Sequence, residues 1–188
     1  MAAMGGMGMR DTGVLAPAAP VRASWWRSQW HRSIAQILRD ASLHQSEALW
    51  FPHHDGALVK VDHLVLTYNT IVVIAVVPLA GTVRGSSRDA MWLLRQHNRE
   101  EEFPSPLGVA RRQAQAVEAA LGRARLPVVP VVVFARAALQ LAIDPPHQVC
   151  DPAGLAGLVR SWLQPDGEDH AALWRGLLAR RQSPPRVG

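Results

Sequence analysis

The chain has 188 residues, of which 48% are hydrophobic and 19% are charged. It is therefore long and apolar enough to fold around a core, which excludes a disordered protein. Its formal net charge is +5, and Lys60 is the single lysine among 20 basic residues. No apolar run reaches the roughly 18 residues that a membrane-spanning helix needs, so we expect a protein without membrane segments.

The excess of arginine has two interpretations. A basic surface suits an anionic partner such as nucleic acid, whereas arginine-rich and lysine-poor usage is also typical of a GC-rich genome. The one cysteine, Cys150, cannot form an internal disulfide, so we expect a reducing cytoplasm. Residues 1–23 lack the charged start and apolar core of a signal peptide, and we expect them to form a flexible leader.

The first predicted element is an amphipathic helix that begins at Ser24, a suitable N-cap. Its apolar residues recur at helical spacing and are Trp26, Trp30, Ile34, Ile37, Leu38 and Ala41. Trp25 lies off this stripe, so we expect it to be exposed and available to a partner. The mixture of aromatic and basic residues in "WWRSQWHR" is also typical of single-strand-binding platforms, although core packing accounts for the two tryptophans on the stripe.

Strands follow this helix. The segment "ALWFP" predicts a short strand and "HHDG" a turn. Residues 58–67 and 70–78 are β-branched and aliphatic, and they predict a hairpin that turns at Tyr68–Asn69, since asparagine tolerates a positive φ. Gly81–Arg84 and the segment around Trp92 predict a further strand pair. The polar, proline-bounded stretch "NREEEFPSP" predicts a loop.

The second half of the chain alternates helices and strands. Pro106 opens a predicted helix whose buried stripe is Ala110, Ala114, Val117 and Leu121. "PVVPVVVFA" has no polar alternation and predicts a fully buried strand. Asp151–Pro152 predicts an N-cap and first helical residue, and a last helix is expected from about Asp169, with Trp174 and Leu177 inward.

The predicted fold class is α/β, with a mixed sheet that has an antiparallel hairpin core and is flanked by helices. The order is helix, three or more antiparallel strands, helix, strand, helix, helix. We expect one domain over residues 24–182, followed by a tail at 183–188.

The predicted hairpin brings charged residues together. A turn at Tyr68–Asn69 pairs Asp62 with Ala75 and Lys60 with Val77. Because side chains alternate along a strand, these four residues are expected on one face. An acid and a base that share a platform suggest an active site, the remains of one, or an ordinary sheet edge.

The order of these motifs resembles the nuclease-related domain (NERD) family, which has the PD-(D/E)XK nuclease-like fold. The resemblance rests on "VDHLVL", the hairpin strand "IVVIAVVPLAGTVRG", Trp92, "PSPL" and "PVVVFA", in that order over about residues 31–162. It implies a nuclease-like fold, metal-dependent DNA cleavage with Mg²⁺ or Mn²⁺ where the site is complete, and a role in a bacterial DNA-processing system.

The resemblance also implies which residues hold the catalytic positions. Asp62 takes the place of the metal-binding aspartate, whereas Ala75 stands at the glutamate position and Val77 at the lysine position. The glutamate of the first helix is missing, since Arg32 or Ser33 falls near its place. One carboxylate holds a hydrated cation only weakly, so we expect no cofactor and no catalysis by the chain as written.

Two interpretations of this site stay open. Lys60 faces Val77 in the predicted register, so it either substitutes for the missing lysine or is a surface lysine at a sheet edge. Ala75 is either a natural loss or a deliberate inactivation.

Three interpretations of function follow. The first is an inactive accessory domain that binds nucleic acid or protein. The second is a metal-dependent DNA endonuclease that uses Asp62 and Lys60, and the third is a purely structural interaction module.

Other polar residues allow weaker predictions. Arg84, Arg111 and Arg112, with Trp25, are candidate contacts to nucleic acid, DNA being favoured; Arg123 and Arg125 also bracket the central helix. His53, His54, Asp55 and His63 match no structural zinc spacing, so we expect solvent-exposed histidines in the turn and a packed His63.

Overall fold

The computed structural model describes residues 24–41, 44–67, 69–122, 126–144, 148–161 and 170–185. Its elements in chain order are α1 (Ser24–Ala41), β1 (His44–Pro52), β2 (Leu58–Leu66), β3 (Ile71–Ser86), β4 (Met91–Gln96), β5 (Arg99–Pro104), α2 (Leu107–Leu121), β6 (Val128–Ala142), β7 (Gln148–Cys150), α3 (Pro152–Ser161) and α4 (Ala171–Ala179). The expectations for the leader, Tyr68, Arg123 and Arg125 lie outside the described residues, and so do those for the side chains of Trp25, Trp26, Trp30 and Ala41.

The seven strands form one mixed sheet around β3, which is 16 residues long. One edge of β3 pairs with β6 in parallel over nearly its whole length, and β7 extends the sheet beyond β6. The other edge pairs antiparallel with two different strands, with β2 near the start of β3 and with β4 near its end. β1 and β5 then complete the two antiparallel arms. The predicted fold class, α/β with a mixed sheet and helices, is confirmed.

Both faces of the sheet are covered in its first half. Helix α2 and helix α4 pack on one face, where Val117 and Trp174 join apolar side chains of β1, β2 and β3. Helices α1 and α3 pack on the other face, where Ile34 and Leu155 meet the alternate residues of β2, β3 and β6. Strands covered on both faces need near-continuous apolar sequence, which explains why "TIVVIAVV" and "PVVVFA" show no alternation.

In the second half of the sheet, the described helices cover the α2 side only. Trp92, which is fully buried, is the centre of this cluster and lies near Phe103 and Phe134, with ring centroids 6.4 and 6.1 Å away. The first turns of α2 contribute Leu107 and Ala110 to the same cluster. Two apolar clusters, each with residues of α2, therefore lie one after the other along the α2 side of the sheet.

Two predictions about strands are wrong. Residues 70–78 and Gly81–Arg84 are not separate strands, because β3 continues through Pro78, with an irregularity in its β6 ladder between Val77 and Ala80. The stretch predicted as a loop at "NREEEFPSP" contains strand β5, which pairs with β4 at every residue from Arg99 to Pro104. Its polar composition suits an edge strand, because all three glutamates are exposed.

The helix predictions that fall on described residues agree with the structure in their order and buried faces, although the last helix begins at Ala171 rather than near Asp169. The predicted stripe of α2 is buried, and Pro106 occupies its N-cap. Asp151 caps α3, since its Oδ1 accepts the Gly154 N–H at 2.7 Å. Trp174 and Leu177 are the buried residues of α4. None of the helices in the described part of the chain combines the length and apolar character that a membrane crossing requires.

Gly85 tests the packing of the second half of the sheet. A Cβ built at Gly85 would lie 2.6 Å from the buried Trp92 ring, so we expect Gly85→Ala to reduce the free energy of unfolding by about 1–3 kcal/mol. Gly108→Ala in α2 is the control, because nothing lies within 4 Å of its Cβ position. Urea denaturation of both variants is the measurement, and equal stabilities would contradict this packing.

Candidate functional site at the divergence of β2 and β3

The β2–β3 hairpin has the predicted register. His63 pairs with Ile74 and Leu66 with Ile71, and beyond them the Thr67 N–H donates to the Thr70 carbonyl at 2.9 Å. The Thr67 hydroxyl donates to the same carbonyl at 2.9 Å and accepts the Thr70 N–H at 3.1 Å, which closes the turn. The backbone pairing ends at His63–Ile74, one position before Asp62 and Ala75.

Asp62 lies where the sheet is interrupted on two sides. Toward β1, pairing runs from Glu47–His63 directly to Leu49–Val61, and Ala48 between them has a positive φ of 53°. Toward β3, the paired edge stops at Ile74 and resumes with β4 at Thr82. The strands therefore diverge at Asp62, which leaves its side chain room to enter the gap.

The Asp62 carboxylate is held by two neighbours. Oδ2 accepts the backbone N–H of Val76 at 3.2 Å, and Oδ1 lies 3.3 Å from Lys60 Nζ. The ladder between β2 and β3 has already ended at Ile74, so the backbone of β2 does not pair with the Val76 N–H. The Asp62 carboxylate accepts this hydrogen bond instead. The side chain of Asp62 is 17% exposed and that of Lys60 is 44% exposed, so the pair lies at the surface of the divergence.

The four residues of the predicted platform do not share one face. Val59 and Val61 pack in the α2-side cluster, and so do Leu64 and Leu66. Regular alternation cannot place both pairs on one side, so the alternation breaks between Val61 and Leu64. Lys60, between Val59 and Val61, consequently points away from α2.

Ala75 lies on the opposite side from Lys60. Its side chain is 3% exposed and belongs to the α2-side cluster with Leu107 and Ala110, and Val77 packs against the same cluster. The expectation of a shared face is corrected for a physical reason: it assumed unbroken alternation through Asp62, where the strand is irregular.

These residues do not fit a Mg²⁺ or Mn²⁺ site. Such a cation needs carboxylate or carbonyl oxygens from more than one residue, usually completed by waters. Asp62 offers one carboxylate, already bonded to Lys60 and Val76, and Ala75 and Val77 offer no oxygen from their side chains. Across the described residues, no group of three or more His, Cys, Asp or Glu side chains is placed to bind a metal.

Comparison with known proteins identifies the family. A model of the nuclease-related domain matches residues 27–135, which is more than half of the chain. The chain belongs to the nuclease-related domain family. Neither curated proteins nor solved structures provide a match. The α/β architecture with a mixed sheet agrees with the nuclease-like fold that the NERD resemblance implies.

The NERD domain has a second polar cluster at the β1–β2 turn, on the α2 side. His53 Nδ1 lies 3.0 Å from Asp55 Oδ1, and Arg112 of α2 donates to Asp55 Oδ2 at 2.6 Å. His53 Nε2 also contacts Gln115 Oε1 at 3.4 Å. The prediction of solvent-exposed turn histidines is therefore wrong for His53, which is 7% exposed because α2 covers it.

Three of the candidate nucleic-acid contacts are separated by the sheet. Arg111 and Arg112 lie on α2, and the second is paired with Asp55. Arg84 lies on the other side, because its neighbour Val83 packs in the α2-side cluster. The structure therefore brings Asp62 and Lys60 together but does not unite the arginines in one surface.

Cys150 is not placed for nucleophilic chemistry. Burial, followed by the nearby charge of Asp151, raises the pKa of its thiol to about 12. The thiolate is the reactive form, so the thiol stays protonated at neutral pH.

Sequence reasoning missed three features of this region. The positive φ of Ala48 has no signal in the sequence, since alanine rarely adopts it. The use of the Val76 N–H depends on where β2 leaves β3, which is a tertiary property. The contact between Asp55 and Arg112 joins residues 57 positions apart, although the charges themselves were visible in the sequence.

The cluster at Asp55 predicts a pH dependence. The backbone N–H of Ala57 and then the hydrogen bond to His53, with Arg112 also contributing, lower the pKa of Asp55 from 3.8 to about 2. A lowered carboxyl pKa stabilises the fold above pH 3.8, and this contribution is lost as the pH falls toward 2. Asp55→Asn should therefore be less stable than the wild type at pH 6, and the difference should shrink between pH 4 and 2.

Thermal unfolding followed by circular dichroism from pH 6 to 2 measures this effect. Asp151→Asn is a control, because Asp151 caps α3 and does not contact the turn. A difference at Asp55 that is constant over this pH range would contradict the assignment.

Proposed function

We propose that this NERD domain binds nucleic acid, DNA being favoured, without cleaving it, as an accessory in a bacterial, cytoplasmic DNA-processing system. Membership of the nuclease-related family supports the nucleic-acid partner. The observation that carries the proposal is the state of Asp62: its carboxylate contacts Lys60 and accepts the Val76 N–H, and the described residues hold no group of three or more side chains placed to bind a metal.

Charge supports an anionic partner at the same place. Lys60 points away from α2, and so does Arg136, which is exposed and precedes Ala137 of the α2-side cluster. Arg136 lies on β6, where it pairs with Ala80 of β3, and Lys60 lies on β2. The two cations are therefore on strands at either side of the irregular part of β3. Dispersed cations of this kind bind phosphates with strong salt dependence and little sequence specificity.

The first prediction concerns catalysis. We expect no cleavage of DNA with Mg²⁺ or Mn²⁺, because one carboxylate, already bonded to protein groups, cannot hold the cation firmly. Ala75→Glu should also stay inactive, and it should reduce the free energy of unfolding by at least about 2 kcal/mol, because it places a charge inside an apolar cluster. A nicking assay on supercoiled plasmid and urea denaturation measure the two effects.

Ala75→Gln is the matched control, because it has the size of glutamate without the charge. Cleavage by Ala75→Glu that is absent from Ala75→Gln, and that Lys60→Ala abolishes, would support the competing reading of a nuclease whose glutamate was lost. The proximity of Lys60 and Asp62, 3.3 Å, is the observation that keeps this reading in view. Metal-dependent cleavage by the unmodified chain that survives Asp62→Ala would place an active site elsewhere.

The second prediction concerns binding. Fluorescence anisotropy with a labelled 20-base-pair duplex should show affinity that falls steeply between 50 and 200 mM salt. Lys60→Ala and Arg136→Ala together should weaken binding and reduce the slope of log K against log[salt] by about two, since about one counterion is released for each phosphate contact.

Arg175→Ala on α4 and Arg181→Ala just after this helix form the control pair with the same loss of charge, because both side chains are exposed and neither is a candidate contact. An equal effect of both pairs would show that net charge alone governs the binding. The absence of binding even at 20 mM salt would overturn the nucleic-acid proposal in favour of a protein-interaction module.

A further inference from the structure

Within the residues that the structure describes, no helix covers the second half of the sheet on the side opposite α2. We call this surface the distal face: the side chains of β4, β5 and the ends of β3 and β6 that point away from the Trp92 cluster. Helices α1 and α3 do not reach it, because their apolar cluster ends at Val76 and Val133. In the described part of the chain, two of the three exposed large hydrophobic residues, Met91 and Leu93, lie here, with exposures of 45% and 38%.

The distal face has an ordered row of charges. Leu93 on β4 pairs with Arg84 of β3 on one side and with Glu102 of β5 on the other. The row therefore reads cation, apolar residue, anion across three neighbouring strands. In the next row, Arg95 on β4 lies between Thr82 and Glu100.

We propose that the distal face is the contact surface of a homodimer, in which two copies of this chain pack their sheets face to face. A twofold axis that lies in the interface and runs along β4 brings Leu93 against its own copy. The same rotation exchanges the flanking strands, so Arg84 of one copy meets Glu102 of the partner subunit, and the reverse. A closed twofold interface requires such self-complementarity.

The charges favour a second copy over the other occupants of an open sheet face. Nucleic acid would meet the carboxylates of Glu100 and Glu102, which repel phosphate. Both carboxylates are exposed, and neither takes part in the ion pairs found among the described residues, so they are available to a cation of another molecule. The charge pattern is antisymmetric about Leu93, with a cation on one side and an anion on the other. A second copy rotated about the twofold axis matches this pattern by symmetry, whereas an unrelated protein would match it only by coincidence.

The dimensions of the face predict a weak dimer. The rotation about β4 places β3, β4 and β5 of one copy over β5, β4 and β3 of the other. Three strands about 4.8 Å apart, with about five residues each at ~3.4 Å, cover roughly 250 Å² per protomer. Stable interfaces bury about 800 Å² per partner, and smaller ones are transient. We therefore expect exchange between monomer and dimer in the micromolar to submillimolar range, weakened by salt because the charge pairs are at the rim.

Sedimentation velocity of the full chain at 5 to 500 µM tests the proposal. The protein is first treated with nuclease, and the ratio of its absorbance at 260 and 280 nm checks that nucleic acid has been removed. The sedimentation coefficient should rise with concentration at 50 mM salt. Arg84→Glu and Glu102→Arg should each weaken the dimer at least about tenfold, because each reversal places like charges opposite each other.

Charge complementation makes the test specific. A mixture of the Arg84→Glu and Glu102→Arg chains should form a heterodimer, because each charge then meets its opposite, and the double variant should recover the homodimer. Arg175→Glu and Glu118→Arg, exposed on α4 and α2, are the matched controls and should associate like the wild type. Circular dichroism checks that every variant is folded.

A chain that stays monomeric up to 500 µM would overturn the proposal. So would reversals whose effect is not rescued in the mixture or in the double variant. Association that appears only when nucleic acid is added back would show instead that the distal face, or a surface near it, binds nucleic acid.

Discussion

The structure depends on β3, because one strand of 16 residues carries three neighbours. Its parallel partner β6 follows it on one edge, while β2 and β4 divide the other edge between them. The part of that edge between Ile74 and Thr82 is left without a backbone ladder. A buried or half-buried N–H there must find another acceptor, and Asp62 supplies one to Val76. The gap thus explains both why a carboxylate belongs in this apolar region and where it lies.

The same geometry explains why apolar side chains fit at two of the positions for which the NERD resemblance implies charged residues. The residues at the positions that the NERD resemblance assigns to glutamate and lysine are Ala75 and Val77, and both pack with the α2-side cluster. Replacing buried charges by apolar groups of suitable volume is often neutral or stabilising. Asp62 differs, because its carboxylate is used by Val76 and Lys60 whether or not a metal ever binds. Its presence is therefore weak evidence for catalysis.

The sequence predicted the features that are governed by local chemistry. The caps at Pro106 and Asp151, the buried stripe of α2 and the register of the β2–β3 hairpin follow from residue types a few positions apart. It did not predict that β3 continues through Pro78, because proline normally ends a central strand; here proline falls at a register shift in the ladder. Nor did it predict β5, whose polar residues form a strand only because β4 pairs with them. The hairpin register predicted which residues of the candidate site are neighbours. It did not predict which face of the sheet each side chain occupies, because one irregularity at Ala48 and Asp62 reverses the alternation of side chains along β2.

The two faces of the sheet suggest how binding and self-association are related. On the α2 side, two apolar clusters with residues of α2 line both halves of the sheet, and the contact between Asp55 and Arg112 ties the β1–β2 turn to this helix. On the other side, the described helices cover only the first half, and Lys60, Arg136 and the distal face all lie toward the half that these helices leave uncovered. A dimer through the distal face would carry two copies of the Lys60–Arg136 pair in one particle. Two weak sites joined in this way bind one long polyanion more tightly than either alone, because the second contact is intramolecular. A weak dimer and a weak phosphate surface are consequently not independent, and nucleic acid that spans both copies would shift the monomer–dimer equilibrium toward the dimer.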